Sequence, residues 1–323
     1  MRSFLSIRRL QQVLGALWLV DGVLQLQPVM FTTYLTNGLM QPLTQGQPAP
    51  IAAALQAIIQ STGQNLIAVN LTIAVVQLAL GICLLSGAFV RPALLASVVW
   101  SLLVWFGGEG LGMLLTGQAG ALTGAPGAVL LYLVLALAAY PTDGPSDDGL
   151  LSRPRLRLVL AGFWALTAVL QLQPFWWQPQ QISNDIAANL NPGTLNGTLL
   201  DPLLQGLADL TGRWELPLNA AIIAVAVGLA VGLAVVRTDR VRPLLAISIV
   251  LSLLLWVVDE GAGQLLSGSA TDFNSGLPLA ILALASFPVL QPAPRIVMQG
   301  ANVARGVRGS EDWPIDHSSG LST

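Results

Sequence analysis

The chain has 323 residues, of which 54 % are hydrophobic and 9 % charged, with a mean hydropathy of +0.70. Soluble domains carry about 25 % charged residues, so this composition points to an integral membrane protein. The net charge of −2 offers no basic face to nucleic acid, and one cysteine (Cys83) with one histidine (His317) excludes an internal disulfide, a CxxC redox pair, a bis-His haem and a His-based metal site within the chain. No cofactor is expected inside the chain itself. All 14 basic residues are arginine, a usage we read as a GC-rich genome.

The N-terminal MRSFLSIRRL leads into an apolar stretch with no A-x-A-like cleavage site, so it reads as a retained first span. Spans of about 20 apolar residues fall in the first half near 10–30, 65–87, 91–107 and 126–140. In the second half they fall near 156–175, 216–236, 242–258 and 276–291. The third and fourth of each half are short enough to be tilted or joined by a re-entrant turn. Between spans 1 and 2, and again between 5 and 6, lie Gln-, Asn-, Pro- and Gly-rich segments. PIAAALQAIIQ (50–60) and TLLDPLLQGLADL, ending at Leu210, read as short amphipathic helices there. They either lie on the membrane interface or pack as a cap over the bundle.

The eight spans are two copies of one unit. ALWLVDGVLQLQP (16–28) returns as GFWALTAVLQLQP (162–174), and QAIIQSTG (56–63) as QGLADLTG (205–212). VRPALLASVVWSLLVWFGGEGLG (90–112) returns as VRPLLAISIVLSLLLWVVDEGAG (241–263). The expected fold is therefore all-α, an integral membrane helical bundle of eight transmembrane helices. It is built as two parallel four-helix repeats with an outer-face cap of loops and short helices. The expected domains are 1–140, a cytoplasmic linker at 141–155, a second repeat at 156–292 and a disordered polar tail at 293–323.

Thirteen of the 14 arginines, all but Arg213, fall on one side of an eight-span arrangement. The positive-inside rule then places both termini in the cytoplasm of a bacterial inner membrane.

Polar residues inside the apolar runs are the site candidates. Asp21 lies near the middle of span 1, where an ionisable group is costly and a functional candidate by default. Gln25 follows one turn later, and Gln77 in span 2 falls at a depth similar to that of Asp21, within reach of a hydrogen bond. Thr167 and Ala226 replace Asp21 and Gln77 in the second repeat. A second set recurs: Gln25, Gln27, Asn70 and Glu109 correspond to Gln171, Gln173, Asn219 and Glu260. These residues lie toward the outer ends of their spans and suit an outward-facing polar pocket in each half. Each glutamate alternatively caps the short helix after its glycine-flanked turn, where the helix dipole favours an anion. Paired Trp18/Trp164 and Trp105/Trp256, with Trp176 and Trp177, read as interface anchors, or as a wall for a flat ligand such as a quinone. Gly228 and Gly232, four apart, read as a helix-contact signature.

RRLQQVLGALWLVDGVLQ, VVQLALGICLLSGAFVRPALL (75–95) and AVAVGLAVGLAVVRTDRVRPLL (224–245) carry a resemblance. On these segments each half resembles the four-span DoxX/DoxD-like membrane family, making the chain a tandem DoxX-like protein. Gln77 stands where that family often has a glutamate, and Gln25 or Gln27 where it has a basic residue. Some members resemble the small subunit of a thiosulfate:quinone oxidoreductase, and others accompany redox or stress systems.

The leading expectation is a non-catalytic membrane module, a subunit or assembly partner of a membrane complex that is linked to quinone. Its partners are the lipid bilayer and other membrane subunits. The alternative is a small-solute or proton-coupled transporter using Asp21 and the paired glutamates. An enzyme acting on a lipid or quinone ranks last, because no nucleophile–base pair or phosphate-binding loop is visible.

Overall fold

Proline and glycine set the limits of the helices. The first helix, α1 (Ile7–Leu24), starts at Ser6, whose Oγ accepts from Arg9 N at 3.3 Å. It ends before Pro28, which holds Gln27 extended. The sixth, α6 (Arg153–Gln171), ends in the same way before Pro174. A left-handed glycine, Gly87 at φ 84°, closes α3 (Leu66–Ser86).

The computed structural model describes residues 5–143 and 149–288. Among these no strand forms beyond an isolated bridge between Pro141 and Gly149. The expected tail at 293–323 with His317, together with Arg2, Arg295, Arg305 and Arg308, lies outside the described residues, as does the middle of the 141–155 linker.

Among the described residues three helices are long and apolar enough to cross a membrane. They are α3, α4 (Val90–Gly107) and α9 (Glu215–Val235), with mean hydropathies of 2.3, 1.6 and 2.4. α1 and α6 reach similar lengths but open with arginines, and α10 (Arg242–Val258) is a turn shorter than α9. The expected spans near 126–140 and 276–291 are each only part helix. α5 (Ala128–Ala139) and α11 (Gly276–Ala285) have 12 and 10 residues, or about 18 and 15 Å at 1.5 Å per residue. Before each comes an irregular corner, with Leu111 and Gly112 left-handed in one and Ala262 and Gly263 in the other. Irregular backbone is tolerated at membrane depth only where protein buries it or it lines a cavity. Trp105 Nε1 donates to Pro126 O at 2.7 Å, and Trp256 Nε1 to Phe273 O at 2.8 Å, so each corner is tied to the helix before it.

α5 and α11 form the centre. Both are apolar around their whole circumference, which suits a helix enclosed by others. They pack on each other, with α1 against α5 and α6 against α11. α3 lies antiparallel on α1: a Cβ on Gly15 would meet Leu84, and one on Gly22 would meet Leu78. α9 pairs with α6 in the same sense, through Arg157 Nη1 to Val236 O at one end and Gln171 to Asn219 at the other. The two amphipathic segments are helical: α2 (Ala49–Gln64) and α8 (Leu195–Thr211), with the short α7 (Gln181–Ala187) beside α8.

Two expectations about packing change. Three of the tryptophans are interior: Trp18 and Trp176 are 0 % exposed and Trp164 is 3 % exposed, against 40 % for Trp177 and 61 % for Trp214. Each buried indole donates its N–H, to Ser97 Oγ at 2.8 Å, Ala119 O at 3.1 Å and Ser248 Oγ at 2.8 Å respectively. An indole with an internal partner has no need of the membrane interface. Gly232 does meet a neighbour, Leu244 of α10, but Gly228 faces open space. The close helix approach lies instead at Gly81, where a Cβ would stand 2.7 Å from Leu19 N.

Candidate functional site

Asp21 is fully enclosed on α1. Its Oδ1 accepts from the Tyr132 hydroxyl of α5 at 3.4 Å, while Oδ2 has no partner. Gln77 makes no hydrogen bond to it. Both residues instead line one cavity of about 300 Å³ between α1, α3 and α4. Gln25, one turn further along α1, lines it too, and so do Trp100 of α4 and Glu109 of the first corner. Gln25 is 6 % exposed and Gln77 4 %. Gln25 Oε1, Gln77 Oε1 and Glu109 Oε2 are enclosed without a partner, as is Trp100 Nε1. Buried polar atoms normally find partners, and each one left alone costs about 1–3 kcal/mol. Several converge on this one cavity, which makes it the candidate binding site. Leu35, Ile58, Val69 and Ile73 supply apolar wall, and Asp272 of the second corner closes one side.

A second cavity of about 420 Å³ lies behind α6, α9 and α10. Its lining residues occupy the same repeat positions: Thr167 for Asp21, Ile222 for Ile73, Leu251 for Trp100 and Val258 for Gly107. The chemistry differs. Thr167 Oγ1 donates back to Phe163 O at 3.1 Å, and the wall is almost wholly apolar, with Asp259 at one side. Each cavity borrows from the other half, with Thr271 and Asp272 reaching the first and Ala121 and Leu122 the second.

The paired glutamates share one space. Glu109 Oε1 accepts from Val129 N at 3.1 Å. Glu260 Oε1 accepts from Ser275 N at 3.0 Å, and its Oε2 from Gly276 N at 2.9 Å. Each caps the helix after its corner. Both also line a central cavity of about 420 Å³ together with Asp185, Asp259 and Asp272, so the halves meet over one acidic chamber. No arginine lines it. Burial pushes Glu260 and Asp185 up to about 7, the latter helped by the charge of Glu260. Burial likewise raises Asp259, helped by the charges of Asp185 and Glu260. Among the described residues no three His, Cys, Asp or Glu side chains are placed to hold a metal ion.

The other sequence candidates hold the frame. Asn70 Nδ2 donates to Gln25 O at 2.9 Å, and Asn219 Nδ2 to Gln171 O at 3.3 Å. Both asparagines thus serve carbonyls left open where α1 and α6 end. Gln171 Nε2 donates to Asn219 Oδ1 at 3.2 Å, and Gln27 Nε2 to Ala270 O at 3.0 Å. Gln173 lines none of the three cavities; its Oε1 is enclosed and unpartnered.

Tyr132, Trp100, Asp185 and Asp272 were not among the sequence candidates. Tyr132 had a visible signal as the one polar group in AVLLYLVLALAA. Asp272 had none, because it serves the half to which it does not belong. Comparison with protein-family models, with curated proteins and with solved structures finds no match to this chain.

Proposed function

We propose that the protein is a multi-pass carrier that binds a small solute in the Asp21 cavity. In this reading eight spans form two parallel four-helix repeats, α5 and α11 each completing a span with their corners, and both termini face the cytoplasm. Three apolar helices long enough to cross a membrane support it. So do the matched contacts of the halves, such as Trp18 to Ser97 and Trp164 to Ser248, both at 2.8 Å. The observation that carries the reading is the set of unpartnered atoms on one cavity: Asp21 Oδ2, Gln25 Oε1, Gln77 Oε1 and Glu109 Oε2. The acidic chamber next door shares Glu109 and Asp272 with it and gives protons a place to wait. The test is uptake by proteoliposomes from a labelled panel of amines, polyols, amino acids and carboxylic acids. Uptake of at least one solute by wild type, lost in Asp21→Asn, is expected. A wild type that takes up none overturns the reading.

A second reading, the quinone-linked subunit that the DoxX-like resemblance implies, is favoured by the apolar cavity beside Trp164. Its roughly 420 Å³ suits a flat hydrophobic ring. Purification from native membranes as a single chain, with no partner and no quinone, would exclude it.

A further inference from the structure

The Asp21 cavity has the wrong balance of hydrogen-bonding groups to be self-sufficient. Asp21 Oδ2, Gln25 Oε1, Gln77 Oε1 and Glu109 Oε2 are fully enclosed acceptors without donors, against one fully enclosed donor without an acceptor, Trp100 Nε1. The three first-named side chains are at least nine-tenths buried. The other oxygen of Asp21 accepts from the Tyr132 hydroxyl at a long 3.4 Å, and the other oxygen of Glu109 from Val129 N at 3.1 Å. Three carboxyl groups, Asp21, Glu109 and Asp272, line the space, and no arginine does. A buried anion needs a counter-charge, and the protein supplies none here.

The walls narrow the choice of cation. Leu35, Leu39, Ile58, Val69, Ile73 and Val104 leave most of the surface apolar, which a hydrated inorganic ion cannot use. An N–H donor with an alkyl or aryl body satisfies both parts at once. We infer that the Asp21 cavity takes a small protonated amine with an apolar body, its N–H groups bonded by Asp21, Gln25 and Gln77. The inference rests on the solute-binding reading above and adds the class of solute. The second half is its internal contrast: Thr167 and Ala226 stand where Asp21 and Gln77 do, and its cavity is almost wholly apolar, with Asp259 as its one carboxyl group.

The test is calorimetric titration of the full-length protein in lipid nanodiscs with n-hexylammonium, and with n-hexanol, n-hexanoate and trimethylhexylammonium as counterparts. Saturable binding of hexylammonium is expected, with hexanol, hexanoate and the quaternary ion at least about tenfold weaker, the scale of one lost hydrogen bond to a charge. Asp21→Thr and Gln77→Ala install residues that the second half carries at the same places, so they are suited to fold. Each should weaken hexylammonium by about tenfold or more, whereas Thr72→Ala on the exposed face of α3 leaves it unchanged. Hexanol or hexanoate binding as tightly as hexylammonium overturns the inference and leaves a solute site standing. Trimethylhexylammonium binding as tightly overturns the N–H part of it. Hexylammonium binding untouched by both variants overturns it by placing the site elsewhere. Absence of binding by every probe overturns it too, and the proteoliposome panel then decides separately whether the carrier reading survives.

Discussion

Trp18 and Trp164 each bury an indole and give its N–H to a serine one helix away. Removing the acceptor strands a donor in the interior. Ser97→Ala should therefore destabilise the protein by about 1–3 kcal/mol, against a negligible effect of the exposed Thr72→Ala, as read by thermal unfolding in detergent. Titration of the acidic chamber gives a second expectation. Asp185 and Glu260 are pushed up to about 7 by burial, so each binds its proton more tightly folded than unfolded. Their contribution to stability is complete below the ordinary carboxyl range near pH 4 and is lost as pH rises through about 7. The thermal midpoint should fall between pH 5 and pH 8, and Asp185→Asn should flatten that fall. A midpoint that rises over the same window would contradict the burial of this cluster. At this scale the sequence marks Asp21, Gln77 and the glutamates as polar groups in apolar runs. It cannot say that Asp21 meets Tyr132 instead of Gln77, because that depends on how α5 rotates.

Helix existence was legible from apolar run length, and helix ends from Pro28, Pro174 and Gly87. The shape of the corners was not. Residues 110–127 and 261–275 fall almost wholly between the expected spans, and they fold as irregular backbone because the glutamate at each corner caps the next helix and glycines take left-handed turns. Small residues four apart on α9 suggested contact at Gly228, but the surface there is open, and the tight crossing is between α1 and α3. Gly81→Leu should push Leu19 backbone away and cost about 1–3 kcal/mol or more by overpacking, while Gly228→Leu should be nearly neutral. Unfolding midpoints of the two variants compare them directly; equal losses would contradict the packing described.

For the molecule as a whole, the duplication is a statement about sequence, and the three cavities are what it becomes in space. Two lie at matching positions, and the third forms where the corners meet. Composite walls were illegible because each cavity takes residues from the opposite half. The arginine distribution also makes a topological claim. In a Cys83→Ser background, Asp209→Cys on the exposed face of the last turn of α8 should react with a membrane-impermeant thiol reagent in right-side-out vesicles. Asp239→Cys between α9 and α10 should not; the reverse pattern would invert the orientation. The central claim is the occupied Asp21 cavity within a bilayer-embedded bundle. A density map of the protein purified gently from native membranes into nanodiscs tests it most directly. The account predicts a lipid belt around α3, α4 and α9 and compact non-protein density between Asp21, Gln77 and Glu109. An empty or collapsed cavity, or a lipid chain in contact with Asp21, would contradict it.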